Sequence, residues 1–205
     1  AFGLSMPFIE NRGQVRSDEV LFYARTFGGT LFIEKTGILT YNLSGRGNKG
    51  AIIKETFIDK DLIVTGEQPS PTRVNYFKGN DATAWKADIP TYGSVSLGEI
   101  HPGINLRLKA YGNNMEKLFT VHPGADPARI RVGISGAQGM KVNDKGELEV
   151  STSLGPIMFT RPIAFQEDNG GRRYVQVAYK VCPGNTYGFS VGDYDHEMSL
   201  TIDPL

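Results

Sequence analysis

The chain has 205 residues, 22 Lys+Arg against 22 Asp+Glu, a formal net charge of zero and 40% hydrophobic residues. That is one large domain or two small ones with enough apolar mass for a core. It excludes a largely disordered chain and lacks the basic excess that general nucleic-acid binding needs. One cysteine, Cys182, excludes an internal disulfide, a CxxC redox pair and a cysteine zinc site.

In chain order, strand signals dominate and helical periodicity is nearly absent. Residues 1–9 (AFGLSMPFI) alternate so that Phe2, Leu4, Met6 and Phe8 share one apolar face. Asn11-Arg12-Gly13-Gln14 reads as a polar turn whose Asn and Arg bond the backbone. Strands are predicted over 20–24, 30–33 and 37–41, turned by Gly28-Gly29 and Lys35-Thr36-Gly37. Phe22 and Tyr23 point to opposite faces there, so only one of them belongs to the core. Further strands follow at 51–58, 61–65 and 74–77, then a helical turn or two over 81–87 capped by Asn80 or Asp81, then a strand at 91–97. Residues 104–111 place Ile104, Leu106, Leu108 and Ala110 on one face, and Gly112-Asn113-Asn114 turns them into 117–121. The remaining strands are read at 130–134, 140–142, 147–150, 157–159, 163–166, 174–182, 187–191 and 198–202.

Roughly fourteen short strands at such spacing predict an all-β, antiparallel β-sandwich architecture. Two fused sandwiches are the variant reading. They would divide the chain into 1–95 and 96–205, with the joint near 89–102, where Pro90, Gly98 and Pro102 fall. No run approaches the roughly 18 apolar residues of a membrane-crossing helix. The first residues, Ala1-Phe2-Gly3, have neither Met nor a basic-then-apolar leader, as expected after removal of a signal peptide or trimming.

Few residues announce chemistry. Asp193, Asp195 and Glu197 alternate; in an extended segment their carboxylates share a face and could hold calcium, the one cofactor the chain suggests. The competing reading is a turn whose Asp side chains cap backbone donors. Asn143-Asp-Lys-Gly-Glu147 lacks the order of a calcium-binding EF-hand loop and reads as a hairpin turn. His101, His122 and His196 form neither HxH nor HExxH, and no GxSxG elbow is present, so no catalytic residue is assigned and no enzyme is expected. Cys182 reads as a structural thiol at a strand end. The 21 aromatics, among them Phe22, Tyr23, Phe27, Phe32, Tyr76, Phe77, Trp85 and Tyr92, fill a core or, where exposed, can stack on sugar rings.

Several blocks in order resemble a family. They are Phe8-Ile-Glu-Asn-Arg-Gly-Gln14, Arg73-Val-Asn-Tyr-Phe-Lys-Gly-Asn-Asp81 with Trp85, Ile89-Pro-Thr-Tyr92, His101-Pro-Gly-Ile-Asn-Leu106, Pro123-Gly-Ala-Asp-Pro127, Arg161-Pro162 with Gln166, Val191-Gly-Asp-Tyr-Asp195 and Leu200-Thr-Ile-Asp-Pro204. The chain resembles, over about residues 7–205, a bacterial and archaeal cell-surface domain of unknown function found N-terminal to SBBP-type β-propeller repeats. The resemblance implies one family-level domain over 1–205 that is secreted or surface-exposed, with no catalytic residues to carry over. Relatives usually continue into repeats where this chain stops at Leu205.

The expected function is therefore a non-catalytic extracellular structural or interaction domain. Its partners would be itself or other surface-protein domains, with no nucleic acid and no membrane span. Strand addition through Phe2, Leu4, Met6 and Phe8 would let copies self-assemble into filaments. The alternative is a carbohydrate-binding adhesion module that binds polysaccharide through exposed aromatics.

Overall fold

The computed structural model describes residues 7–26, 28–45, 49–57, 62–80, 83, 85–111 and 114–204. It is nearly all strand. The elements are β1 (Phe8–Glu10), β2 (Val20–Thr26), β3 (Gly29–Glu34), β4 (Leu39–Ser44), β5 (Gly50–Thr56), β6 (Thr65–Tyr76), β7 (Lys86–His101), β8 (Ile104–Tyr111) and β9 (Asn114–Val121). After a 3-10 turn (Pro127–Arg129) come β10 (Val132–Ser135), β11 (Gly139–Val142), β12 (Leu148–Thr152), β13 (Gly155–Phe159), β14 (Ile163–Asp168), β15 (Gly171–Val175), β16 (Val177–Cys182), β17 (Thr186–Val191) and β18 (Leu200–Asp203).

Fifteen strands form one antiparallel sheet in the order β15-β14-β18-β9-β8-β7-β1-β2-β3-β4-β5-β10-β17-β16, with β6 on the free edge of β7. The other three, β11-β12-β13, make a small sheet. β15 and β16 stand at opposite ends of the long order, yet only Gln176 separates them in the chain. The two ends must therefore lie side by side, and the sheet curls round to face itself. Phe119 of β9 accordingly meets Phe189 of β17 at 5.5 Å between ring centroids. A single core results, in which Leu31, Ile33, Leu39, Ile104, Leu106, Leu108, Phe119, Leu200 and Ile202 are at most 1% exposed. At about 25 cal/mol per Å² of apolar surface, each such side chain contributes roughly 1.5–3 kcal/mol.

The all-β antiparallel class, the turn at 143–146 and the β8–β9 hairpin are as predicted, although Gly112 and Asn113 lie outside the described residues. Five local readings need correction. The division at 95/96 does not exist, because β7 runs unbroken through it and β10 pairs with β5 across it. Residues 61–65 and 74–77 were expected as separate strands around Pro69 and Pro71, yet β6 spans 65–76. It pairs on one edge only, through bulges, and an irregular edge strand of this kind tolerates prolines. The helical turn over 81–87 fails at its end, since Lys86 and Ala87 open β7; Asp81, Ala82 and Ala84 are outside the described residues. The expected strand 174–182 breaks at Gln176, whose carbonyl is held by the Gly192 amide at 2.8 Å. Finally, Phe22 and Tyr23 are both buried, at 7% and 6% exposure. Phe22 sits in the core against Tyr92; Tyr23, on the other face, is covered by Phe32 and by Gln14 of the preceding loop.

Candidate functional site

The loop between β1 and β2 is built around one side chain. The Asn11 amide donates to the carbonyls of Val15 (3.2 Å), Ser17 (3.1 Å) and Val20 (2.9 Å), and its Oδ1 accepts from the amides of Gly13 and Val15, both at 3.1 Å. Gln14 ties the same loop to β1, donating to the Glu10 carbonyl and accepting from the Arg12 amide. The predicted polar turn is therefore real for Asn11. Arg12, expected to bond the backbone as well, instead pairs with the Glu10 carboxylate at 3.0 Å. Gly13 adopts φ +98°, a left-handed conformation that costs other residues strain.

This loop faces the end of the β6–β7 ribbon, where Tyr76 pairs with Lys86. Between them lies a cleft of about 600 Å³ lined by Gly13, Gln14, Arg16, Tyr76, Lys78 and Gly79. Lys86 stands at its wall, since a Cβ placed on Gly13 would lie 3.5 Å from Lys86 Cε and 3.8 Å from its Nζ. At the rim, Phe77 and Trp85 meet edge to face with centroids 5.4 Å apart, and Trp85 Nε1 donates to the Gly79 carbonyl at 3.2 Å. The pair stays open to solvent, at 61% and 43% exposure. Two blocks that were singled out separately in the sequence, 8–14 and 73–81 with Trp85, thus build one surface.

A second polar cluster lies in the core. Lys117 Nζ sits 2.6 Å from Glu55 Oε1 and 2.9 Å from Tyr187 Oη. Tyr187 donates to Glu55 Oε1 (2.8 Å) and Tyr41 to Glu55 Oε2 (2.6 Å), while the ammonium lies 4.1 Å above the centre of the Phe159 ring. The Lys117 and Glu55 side chains are 2% and 0% exposed. Burial, reinforced by Glu55, raises both phenols well above their ordinary pKa. Burial also lowers that of Lys117, with Glu55 opposing. The sequence reading missed this cluster, though its signal was present. Lys117 is in phase with Phe119 and Val121, Glu55 with Ile53 and Phe57, so each charge stands on an apolar face. With Glu55, Lys117 and Tyr187 fully buried, Tyr41 partly so and every partner in place, the cluster ties four strands together.

The calcium candidates take the second of their two expected shapes, the capping turn. Residues 193–197 bend and turn instead of running extended, so their carboxylates do not line one face. Asp195 Oδ1 caps the Glu197 amide at 2.9 Å. The buried Gln166 side chain clips this turn to β14, donating to the carbonyls of Asp195 (2.7 Å) and Met198 (3.2 Å) and accepting from the Asp195 amide (2.9 Å). Asp193 lines a separate cleft of about 390 Å³ with Asp126, Lys180, Tyr194 and His196. Among the described residues no group of three or more His, Cys, Asp or Glu is placed to hold a metal ion. Of the apolar N-terminal face, Phe2, Leu4 and Met6 lie outside the described residues. Phe8 is fully buried between β2 and β7, so it is a core residue and not a free donor. No helix among the described residues is long and apolar enough to cross a membrane.

No curated protein and no solved structure matches this chain. A family of domains of unknown function, DUF7948, matches residues 8–205, which takes in both clusters and every strand from β1 to β18, and the chain belongs to that family.

Proposed function

We propose that this domain is a non-catalytic interaction module of a secreted or cell-surface prokaryotic protein, of the kind that precedes propeller repeats, and that the cleft between the Asn11 loop and the β6–β7 ribbon binds polysaccharide. The observation that carries this reading is the solvent-open Phe77–Trp85 pair at the rim of that cleft. Large exposed aromatic faces lose little by being uncovered again and gain by stacking on the apolar face of a sugar ring. Arg16 and Lys78 supply hydrogen-bond donors beside them. A non-catalytic role is supported by the other cluster, since the most strongly shifted titratable groups are sealed in the core.

Affinity electrophoresis through gels containing polysaccharide tests the reading. The wild-type domain should be retarded, and the variant F77A/W85A should run as in a blank gel. Equal retardation of both proteins would remove the aromatic pair from the site.

Assembly between copies is the second reading, favoured by the outer edge of β15, which has a neighbour on one side only. The long edge of β6 suits it less, because Pro69 and Pro71 interrupt its donors. Light scattering on the chain with and without residues 1–6 tests it; a monomer in both cases would end it.

A further inference from the structure

We infer that the polysaccharide this cleft takes is anionic, with sugar faces on Phe77 and Trp85 and carboxylate or sulfate groups on Arg16, Lys78 and Lys86. The inference rests on the proposed reading of the cleft as a glycan site.

Over the whole chain cations and anions balance, 22 against 22, so a local excess reflects the fold and not the composition. Elsewhere several of the described cations are neutralised by carboxylates. Arg12 pairs with Glu10, Lys54 with Glu34, Arg107 with Glu67, Lys141 with Glu149 and Arg172 with Glu167. What sets the cleft apart is that three cations gather there with no carboxylate between them. Among the described residues Arg16, Lys78 and Lys86 make no ion pair, and no carboxylate lines the cleft. Two acids of the adjoining strands are engaged: Glu10 holds Arg12 and the Tyr92 hydroxyl at 3.1 Å, and Asp88 lies 3.8 Å from Arg73; Asp18 and Glu19 are exposed farther along the loop and do not line the cleft.

Three like charges around one concavity repel each other, and a low-dielectric wall concentrates their field in the opening. Lys86 is half-buried, with its stem along Gly13, so its charge is fixed at the wall and not free to swing into water. A neutral glycan would leave that field unused. A polymer bearing one negative group every sugar or two would meet it repeatedly while its rings lie across the aromatic pair.

The test measures affinity for three probes, alginate (carboxylate), dextran sulfate (sulfate) and neutral dextran, at low and at high NaCl. Wild-type protein is compared with R16A/K78A and F77A/W85A, each first checked for an unchanged melting temperature. We expect binding to alginate, dextran sulfate or both, and at least tenfold weaker binding to dextran. The anionic binding should fall about tenfold or more in R16A/K78A and at high salt, and also fall in F77A/W85A. Alginate without dextran sulfate would identify carboxylate as the group read, and the converse sulfate. Dextran bound as well as the charged polymers, lost in F77A/W85A and unaffected by R16A/K78A, would overturn the anionic inference but keep the glycan site. Binding of a charged polymer that F77A/W85A leaves intact, or no binding to any probe, would overturn the glycan site itself.

Discussion

The two polar clusters of this domain handle charge in opposite ways. Around Glu55 and Lys117 every charge has its partner, the ion pair is closed to water, and the β4–β5 hairpin joins two strands far along the chain, β9 and β17, to supply the groups. Around Arg16, Lys78 and Lys86 the charges share one sign and the walls are open. Removing two ions from water costs several kcal/mol each, and a buried pair recovers that only if its hydrogen bonds are complete. The first cluster is therefore a structural device that tolerates no partial loss. The second has little structural work, so its residues are available for a ligand.

The sharpest break in this contrast comes from deleting one partner in the core. Lys117→Met leaves Glu55 as a buried charge facing two phenols and should cost about 3–5 kcal/mol. Urea unfolding followed by tryptophan fluorescence measures it. Glu55→Gln/Lys117→Met should recover a large part of that loss, because no uncompensated charge remains. A double variant as unstable as the sum of its singles would mean that the two side chains are not coupled, against the contact described here.

Next in size is Asn11→Ala. Five hydrogen bonds organise the loop that forms one wall of the cleft. The loop is partly open to water, which replaces some of them, so a net loss of about 2 kcal/mol is expected at roughly 0.5–1.5 kcal/mol per bond. Because Arg16 sits on that loop, binding to the anionic probe should weaken along with stability. A stable variant with intact binding would show that the loop holds its shape without Asn11.

Asp203 lies between the two extremes. It is partly buried at the end of β18, with Oδ1 unpartnered. Burial first, and then Glu116, raise its pKa from the ordinary 3.8 to about 6, against the opposing pull of Lys109 and Arg172. The folded state therefore binds its proton more tightly than the unfolded chain. That contribution is complete below about pH 4 and is lost as the pH rises through about 6. Asp203→Asn should flatten stability over this window and stabilise the domain at pH 7 by about 1–2 kcal/mol, after allowing for its partial exposure. Thermal melts of both proteins across that range check the sign, and a steeper slope in the variant would refute it.

These residues also mark how far the sequence could be read. Alternation made Ile104, Leu106 and Leu108 legible as one buried face, and Asn143 as a turn former, because both are local patterns. The corner at Gln176 was not legible, since Val175-Gln-Val177 carries neither Gly nor Pro and the break depends on where the sheet closes. The cleft was half legible. Its two walls stood out as blocks, but they lie far apart in the chain, and the β1–β7 and β6–β7 pairings bring them together. At 193–197 the turn reading holds and the extended, calcium-binding alternative does not; the clip that secures the turn, Gln166, lies on β14 and was not legible.

The smallest expected effect completes the comparison. Arg16→Ala/Lys78→Ala removes two exposed cations that make no ion pair among the described residues, so the stability change should stay within about 0.5 kcal/mol. Relief of their mutual repulsion could even make it slightly positive at low salt, and that gain should vanish as salt screens the charges. Urea titrations at low and high NaCl separate the two contributions. A loss above about 1 kcal/mol would mean that these cations support the loop or the ribbon, which would return the cleft to the structural side of the contrast. A neutral or favourable change leaves three charges gathered in one opening with no role in holding the fold.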